Sequence, residues 1–294
     1  MHHGYVHTLA IDVGGTKFTV AAFRGSEMLV CETRATDRAG GPEAMFASIE
    51  QIYRDWKTRL GFQPERCGIG FGGPVDFPKQ TVTLSTHVEG WAQYPLIAKV
   101  QALTGAPAIM DNDANVGALG EAVYGAGIGF DPLLYLTIST GIGGGVIIRH
   151  RIYRGADSFA GEIGHINVVP DGPPCLCGSN GCLERMCCGL WLERDYGKPA
   201  KELFENADFV RNYVVYLARG LKAGIMILNP ARIVLGGGIS KAADRLFVPL
   251  REELNRQMTA WSRAGRDVVP AALGDDSVLY GALALADISS FEGN

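Results

Sequence analysis

The sequence predicts an α/β protein of two lobes, and three observations carry that expectation. The chain has 294 residues, which at roughly 100–200 residues per domain suggests two. A pattern of strand, glycine-rich turn, strand, turn, strand occurs twice, beginning near residues 8 and 133. Amphipathic helices and short apolar strands fill the remaining length, as α/β packing requires. The repeat is taken as a weak internal duplication, with two unrelated hairpins as the alternative.

The elements follow in order. Apolar residues 8–13, 18–23 and 28–31, separated by Gly14-Gly15-Thr16-Lys17 and Arg24-Gly25-Ser26, predict an antiparallel meander. Gly41-Pro42-Glu43 opens a helix, in which Met45, Phe46, Ile49, Ile52, Tyr53 and Trp56 recur at helical spacing. A strand over 67–71 runs into Gly72-Gly73-Pro74. A helix over 95–103, a strand over 108–111 and a helix over 114–122 come next. The second meander takes residues 133–138, 145–148 and 152–153, with a turn over 139–144. A long helix over 207–228 is closed by Asn229-Pro230. A strand over 232–235 runs into Gly236-Gly237-Gly238, and helices are expected over 247–261 and 278–288. No low-complexity linker interrupts the chain. The expected lobes are 1–113, joined by the C-terminal helix 278–290, and 114–277, which carries a cysteine-rich loop.

Composition excludes several function classes. Hydrophobic residues make up 47% and charged residues 20%, ordinary for a chain with a packed core. Lys and Arg total 27 against 31 Asp and Glu, a net charge of -4, so no nucleic-acid partner is expected. Mean hydropathy is +0.09, yet no apolar run approaches the roughly 18 residues of a spanning helix, and no membrane partner is expected. The start lacks a basic segment followed by an apolar one, so a cytoplasmic location is expected.

The seven cysteines are odd in number, and five fall between Cys175 and Cys188. Without an export signal, this clustering points to metal or redox chemistry rather than to a disulfide framework. Cys31 and Cys67, among apolar neighbours, are expected to be small core residues. Cys175, Cys177 and Cys182, with His165 upstream, can complete a closed Cys₃His zinc site, and Gly178 and Gly181 permit the tight loop. With no open position, such a zinc is structural. Free thiols or a redox pair are the alternative. Ordering the loop would fix Glu162 and Glu184 as acceptors for hydroxyl groups. Cys187 and Cys188 lie outside the pattern and are assigned to helix packing.

Three glycine turns follow strands. At the first, Gly14 and Gly15 let the backbone approach a polyanion, Thr16 and Lys17 add a hydroxyl and a cation, and Asp12 could hold Mg²⁺ through water. The second, with Thr140 and Gly141, repeats this logic, and the third, with Gly237 and Gly238, suits a flat base. None fits the Walker or dinucleotide-binding patterns. Asp111-Asn112-Asp113 stands where a strand meets a helix. A carboxylate there is favoured in its ionised form, either as a base facing a cleft or as an N-cap.

Together these motifs resemble the ROK family (repressors, open reading frames and sugar kinases). They are Asp12-Val13-Gly14-Gly15-Thr16-Lys17, Gly73-Pro74-Val75-Asp76, Asn112-Asp113-Ala114-Asn115, Ser139-Thr140-Gly141-Ile142-Gly143-Gly144-Gly145, Glu162-Ile163-Gly164-His165, the cysteine loop and Leu235-Gly236-Gly237-Gly238. The resemblance spans nearly the whole chain. It implies a two-lobed actin-like ATPase (ribonuclease H-like) fold whose cleft closes on ATP and a sugar. It implies Asp113 as the base that deprotonates a sugar hydroxyl, usually that on C6. It places Gly73, Thr86, Asn112, Glu162, His165 and Glu184 on the sugar, with His165 also on zinc, and it implies a homodimer. Gly14, Gly15, Thr16 and Thr140 would hold phosphates.

Two departures bear on substrate. Glycine replaces a proline of many relatives in Phe71-Gly72-Gly73-Pro74, which predicts a looser turn. His87 stands where glucose-type members often carry asparagine. Glucose, N-acetylglucosamine, N-acetylmannosamine and fructose all stay open. Only eleven residues precede Asp12, so a repressor's DNA-binding domain is not expected. A zinc hydrolase would need an open coordination position. A polyphosphate-using glucokinase is a nearer rival, and a non-catalytic sugar-sensing regulator a more distant one.

Overall fold

The computed structural model describes residues 5–85, 88–259 and 267–288. The chain divides into two compact units, one built from residues 1–123, 155–159 and 276–294, the other from 124–154 and 160–275.

In the first unit, β1 (His7–Val13), β2 (Lys17–Arg24) and β3 (Glu27–Ala35) form the expected meander. After α1 (Gly41–Leu60), β4 (Arg66–Phe71) joins β1 in parallel. A two-stranded ribbon of β5 (Val75–Asp76) and β6 (Thr81–Val82) and the helix α2 (Leu96–Thr104) precede β7 (Ala108–Asn112), parallel to β4. The sheet order is β3-β2-β1-β4-β7.

Period-two alternation sorts β1 onto two faces. Leu9, Ile11 and Val13 share a core with Met45, Ile49, Ile52 and Trp56 of α1, Leu96 and Val100 of α2 and Ile69 of β4. The other face is lined with small residues. The helix α3 (Asp113–Tyr124) continues directly from β7, and α9 (Ser277–Ile288) packs there as backbone against backbone. A Cβ on Gly68 would overlap the Ala282 carbonyl, and one on Gly281 would overlap that of Val116 in α3. Buried Ser277 donates to the buried Glu121 carboxyl at 2.7 Å. These contacts keep residues 114–123 with this unit.

The second unit holds β8 (Leu133–Ile138), β9 (Ile142–Ile148) and β10 (Arg151–Ile152), again an antiparallel meander. Then come α4 (Leu183–Cys187), α5 (Gly189–Tyr196), α6 (Ala200–Leu203) and α7 (Ala207–Leu228). The strand β11 (Arg232–Gly236), α8 (Asp244–Gln257) and β12 (Asp267–Pro270) follow. The sheet order is β10-β9-β8-β11-β12, with β11 and β12 parallel to β8. Both sheets thus share one topology, a three-stranded meander followed by two parallel strands. Asn206 caps α7 by accepting from the N–H groups of Asp208 and Phe209. Leu217, Leu221 and Ile225 of α7 meet Leu246 and Leu250 of α8 and the strand residues Leu134, Leu136 and Ile233 in one core.

Several expectations change. Cys67 is buried but Cys31 is exposed, because β3 is an edge strand whose residues alternate outward. The second turn is shorter than 139–144. β9 begins at Ile142, and Gly144 sits inside the strand because a Cβ there would overlap the Gly161 carbonyl. The helix expected over 247–261 begins at Asp244 and ends at Gln257, with residues 260 and 261 outside the described residues. β12 was not anticipated, since its four residues end in proline. No described helix is long and apolar enough to cross a membrane.

Candidate active site

The first unit gathers its chemistry at the carboxyl ends of its parallel strands, where open α/β sheets bind ligands. Register places Asp12 and Asp111 on either side of Gly70. The glycine turn after β1 is tied back by its carbonyls. Gly14 O accepts from Thr36 Oγ1 at 2.8 Å, Gly15 O from Arg38 Nε at 3.0 Å, and Thr16 O from Thr36 N at 2.9 Å. Thr16 and Lys17 are exposed. Gly72 is not looser for lacking proline. Its N–H donates to Val13 O at 2.8 Å, and Asn112 Nδ2 donates to Gly73 O at 3.0 Å.

Asn112 and Asp113 share the start of α3. Asn112 Oδ1 accepts from the N–H groups of Ala114 and Asn115, and Asp113 Oδ1 from that of Ala114 at 2.8 Å. The base candidate and the cap are therefore adjacent residues rather than alternatives. Asn112, expected on the sugar, caps this junction through Oδ1 and holds the turn after β4 through Nδ2. A Cβ on Gly72 would lie 3.6 Å from Asp113 Oδ2, so the turn after β4 runs beside that carboxyl. Sequence reasoning missed what lies beneath. Asp111 is 1% exposed and accepts from Asn112 N at 2.7 Å and from Asn115 Nδ2 at 3.1 Å. The Asp-x-x-x-Asn spacing across a strand–helix junction was the available signal, since it returns the amide one turn later onto the carboxylate.

Burial and the nearby Asp113 push the Asp12 carboxyl up to about 7, against a smaller opposing pull from Lys17. Unfolded, this group ionises near 3.8, while folded it keeps its proton until about 7. The folded state binds more protons between those values, and stability falls as pH rises through that window. Asp12→Asn is therefore expected to raise the melting temperature of the ligand-free protein by a few degrees at about pH 8 and by less at about pH 5. Calorimetry showing the same increment at both would remove this assignment.

In the second unit, the turn between β8 and β9 is tied back in the same way. Gly189 N donates to Ser139 O at 2.7 Å, Leu190 N to Thr140 O at 3.2 Å, and Ser139 N to Gly141 O at 2.9 Å. The third glycine turn lies against it. Gly237 has φ of 82° and admits no side chain, because a Cβ would come 2.5 Å from Ile138 O. Gly238 begins the short helical turn that follows. Glu184 Oε2 accepts from Ile142 N at 2.8 Å. The surrounding protein raises the Glu162 carboxyl, His165 partly offsets this, and Glu184 adds to it.

His165, Cys175, Cys177 and Cys182 offer four donor atoms that all lie within 4.8 Å of one another. Cys177 Sγ is 3.6 Å from Cys182 Sγ, and Cys175 Sγ is 3.9 Å from His165 Nδ1. Zinc at about 2.3 Å from tetrahedral thiolates separates them by about 3.8 Å, so the donor set fits that ion. Burial and the two neighbouring thiols push Cys182 up to about 12, a proton load that a bound divalent cation would discharge. The backbone shapes the cage. Cys175 N donates to Ser179 O, and Val168 N to Gly181 O, each at 2.8 Å. Cys187 and Cys188 are buried against the helices, as expected. Thr86, expected on the sugar, lies outside the described residues.

Comparison with known proteins identifies the family. The ROK family model matches residues 8–288. The glucokinase of Thermotoga maritima is 33% identical over 94% of this chain and 96% of its own. A putative fructokinase of Bacillus subtilis is 32% identical over 94% of both. The structure of a ROK family glucokinase from Streptomyces griseus, in complex with glucose and AMPPNP, matches at a TM-score of 0.83 and 31% identity. It covers 96% of this chain and 99% of that one. The chain belongs to the ROK family and has the two-lobed actin-like ATPase fold of that family's sugar kinases.

Proposed function

We propose that this sugar kinase is an ATP-dependent hexokinase that phosphorylates the C6 hydroxyl of glucose or of an N-acetylhexosamine. The observation that carries the reading is Asp113, a carboxylate at the strand–helix junction beside the Asp12 and Gly72 turns. Phosphoryl transfer asks the protein for positioning, charge neutralisation and an aligned base. Asp113 takes the proton of the attacking hydroxyl. Gly73, Thr86, Asn112, Glu162, His165 and Glu184 orient the sugar. Gly14, Gly15, Thr16, Lys17, Thr140 and Gly141 receive phosphates through N–H groups, a hydroxyl and a cation, and Gly237 and Gly238 flank the base. Mg²⁺ near Asp12 would neutralise phosphate charge. Structural zinc on His165, Cys175, Cys177 and Cys182 would stiffen the loop between Glu162 and Glu184. The protein works as a cytoplasmic homodimer.

The nearest alternative is a fructokinase, for which the 32% identity to the putative fructokinase speaks. A coupled ADP-release assay with ATP and Mg²⁺ across glucose, N-acetylglucosamine, N-acetylmannosamine, mannose and fructose tests both, with NMR locating the new phosphate. Turnover of a hexose at C6 is expected. Silence on all five sugars would end the kinase reading.

A further inference from the structure

Glu184 faces two tasks, and the structure shows its hold on only one. Its Oε2 accepts from Ile142 N at 2.8 Å, the first N–H of β9 after the turn at 139–141. The same short stretch of chain grips the turn twice more, through Gly189 N on Ser139 O at 2.7 Å and Leu190 N on Thr140 O at 3.2 Å. Gly141 O is taken by Ser139 N at 2.9 Å. All three carbonyls of the turn are thus engaged within the protein. Among the described residues, the N–H groups of Thr140 and Gly141 donate to nothing. A turn whose carbonyls are tied back and whose N–H groups are spare is an anion-binding nest. A Cβ on Gly141 would come 2.7 Å from Glu184 Oε2, so a side chain there would have to displace that carboxylate. The carboxylate therefore packs on the turn itself.

We infer that Glu184 is a positioning residue for the nucleotide, bracing the 139–141 turn so that its free N–H groups are preorganised for phosphate. This rests on the proposed reading of that turn as a phosphate site, and it adds to Glu184 a role separate from contact with the sugar. Glu184 lies two residues beyond Cys182. The loop that the metal would stiffen therefore continues directly into the brace, and it serves the phosphate donor as well as the sugar.

The chemistry separates bracing from charge. A carboxylate beside an anion site repels that anion, so its net charge alone would weaken nucleotide binding. The brace needs only an acceptor oxygen. Glu184→Ala removes both charge and acceptor, whereas Glu184→Gln removes the charge and keeps an oxygen for the Ile142 N–H.

The test is calorimetric titration of the zinc-loaded, full-length protein with AMPPNP and Mg²⁺ in the absence of sugar. Glu184→Ala is expected to weaken AMPPNP about tenfold or more, the scale of a lost hydrogen bond to a charged group. Glu184→Gln is expected to bind within about twofold of wild type, or more tightly. Hydrogen exchange at the Ile142 amide should speed up in the alanine variant and stay protected in the glutamine one. In turnover, the alanine change should raise the KM for ATP more than it lowers kcat. If wild type binds AMPPNP and the alanine variant, with its zinc and melting temperature intact, binds it equally well, the brace is wrong while the kinase reading stands. Tighter binding by both variants would show that only charge acts, which also overturns it. If wild type does not bind AMPPNP, the phosphate assignment of the turn falls, and this inference falls with it. Should Glu184→Ala lose zinc or unfold, the decision passes to Glu184→Gln: rapid exchange at Ile142 with weakened AMPPNP would overturn the inference, and retained protection with wild-type affinity would support it.

Discussion

Asp113→Ala is expected to lower the rate of sugar phosphorylation by roughly 10²–10⁴-fold, the usual contribution of a positioned acid–base group, while the protein stays folded. The reason lies in what the side chain does in the structure. Asp113 Oδ1 takes one N–H, that of Ala114, and Asn112 Oδ1 accepts from the same N–H at 3.0 Å. Truncation therefore leaves no orphaned donor at the start of α3. It also removes the charge that helps hold Asp12 near 7, so ligand-free stability should hold or rise slightly above about pH 5. The loss should appear in kcat, with the affinity for AMPPNP kept within a few-fold, because a base acts on the transition state rather than on ground-state binding. Near-normal turnover in this variant would remove Asp113 from the mechanism. A collapse in melting temperature would mean that the residue is structural.

Cys177→Ala is expected to strip the metal from the loop and to raise the sugar KM by at least about tenfold. Cys177 is the informative ligand to change because it is exposed. Its truncation opens no cavity, unlike that of Cys182, which is fully buried. Beyond two isolated backbone bridges, little secondary structure holds the segment between His165 and α4. A structural zinc there would contribute directly to the folding of that segment. Elemental analysis should give about one zinc per wild-type chain and none in the variant, with metal uptake following the thiols rather than the overall fold. Fresh wild-type protein without zinc would sink the assignment outright.

Some of this was legible from local pattern. The helices at 41 and 207 carry apolar residues at helical spacing and lie where that spacing put them, because burying the stripe is what stabilises a helix of this length. The four-ligand cluster was legible for a different reason. Thiols and imidazole at short spacings with intervening glycine have few other uses, and the backbone closes them to within 4.8 Å. The Asp111–Asn115 pair was hidden because each residue alone is ordinary on a surface, and only burial to 1% and 2% makes them a network. Cys31 misled for the converse reason. Its neighbours are apolar, but β3 is an edge strand, and position in the sheet rather than composition decides which face is covered.

The amino-acid order by itself determined the two meanders, the glycine turns, the cluster of three cysteines and one histidine, and the family. All of these are written in short-range spacing, where backbone sterics and side-chain periodicity act on a few neighbouring residues. Only the tertiary structure decided which groups those turns engage. That Glu184 braces a turn some forty residues away, and that Asp12 carries a proton near neutrality beside Asp113, depend on distances between segments remote in sequence. Desolvation and Coulomb interactions follow those distances, and no local pattern encodes them.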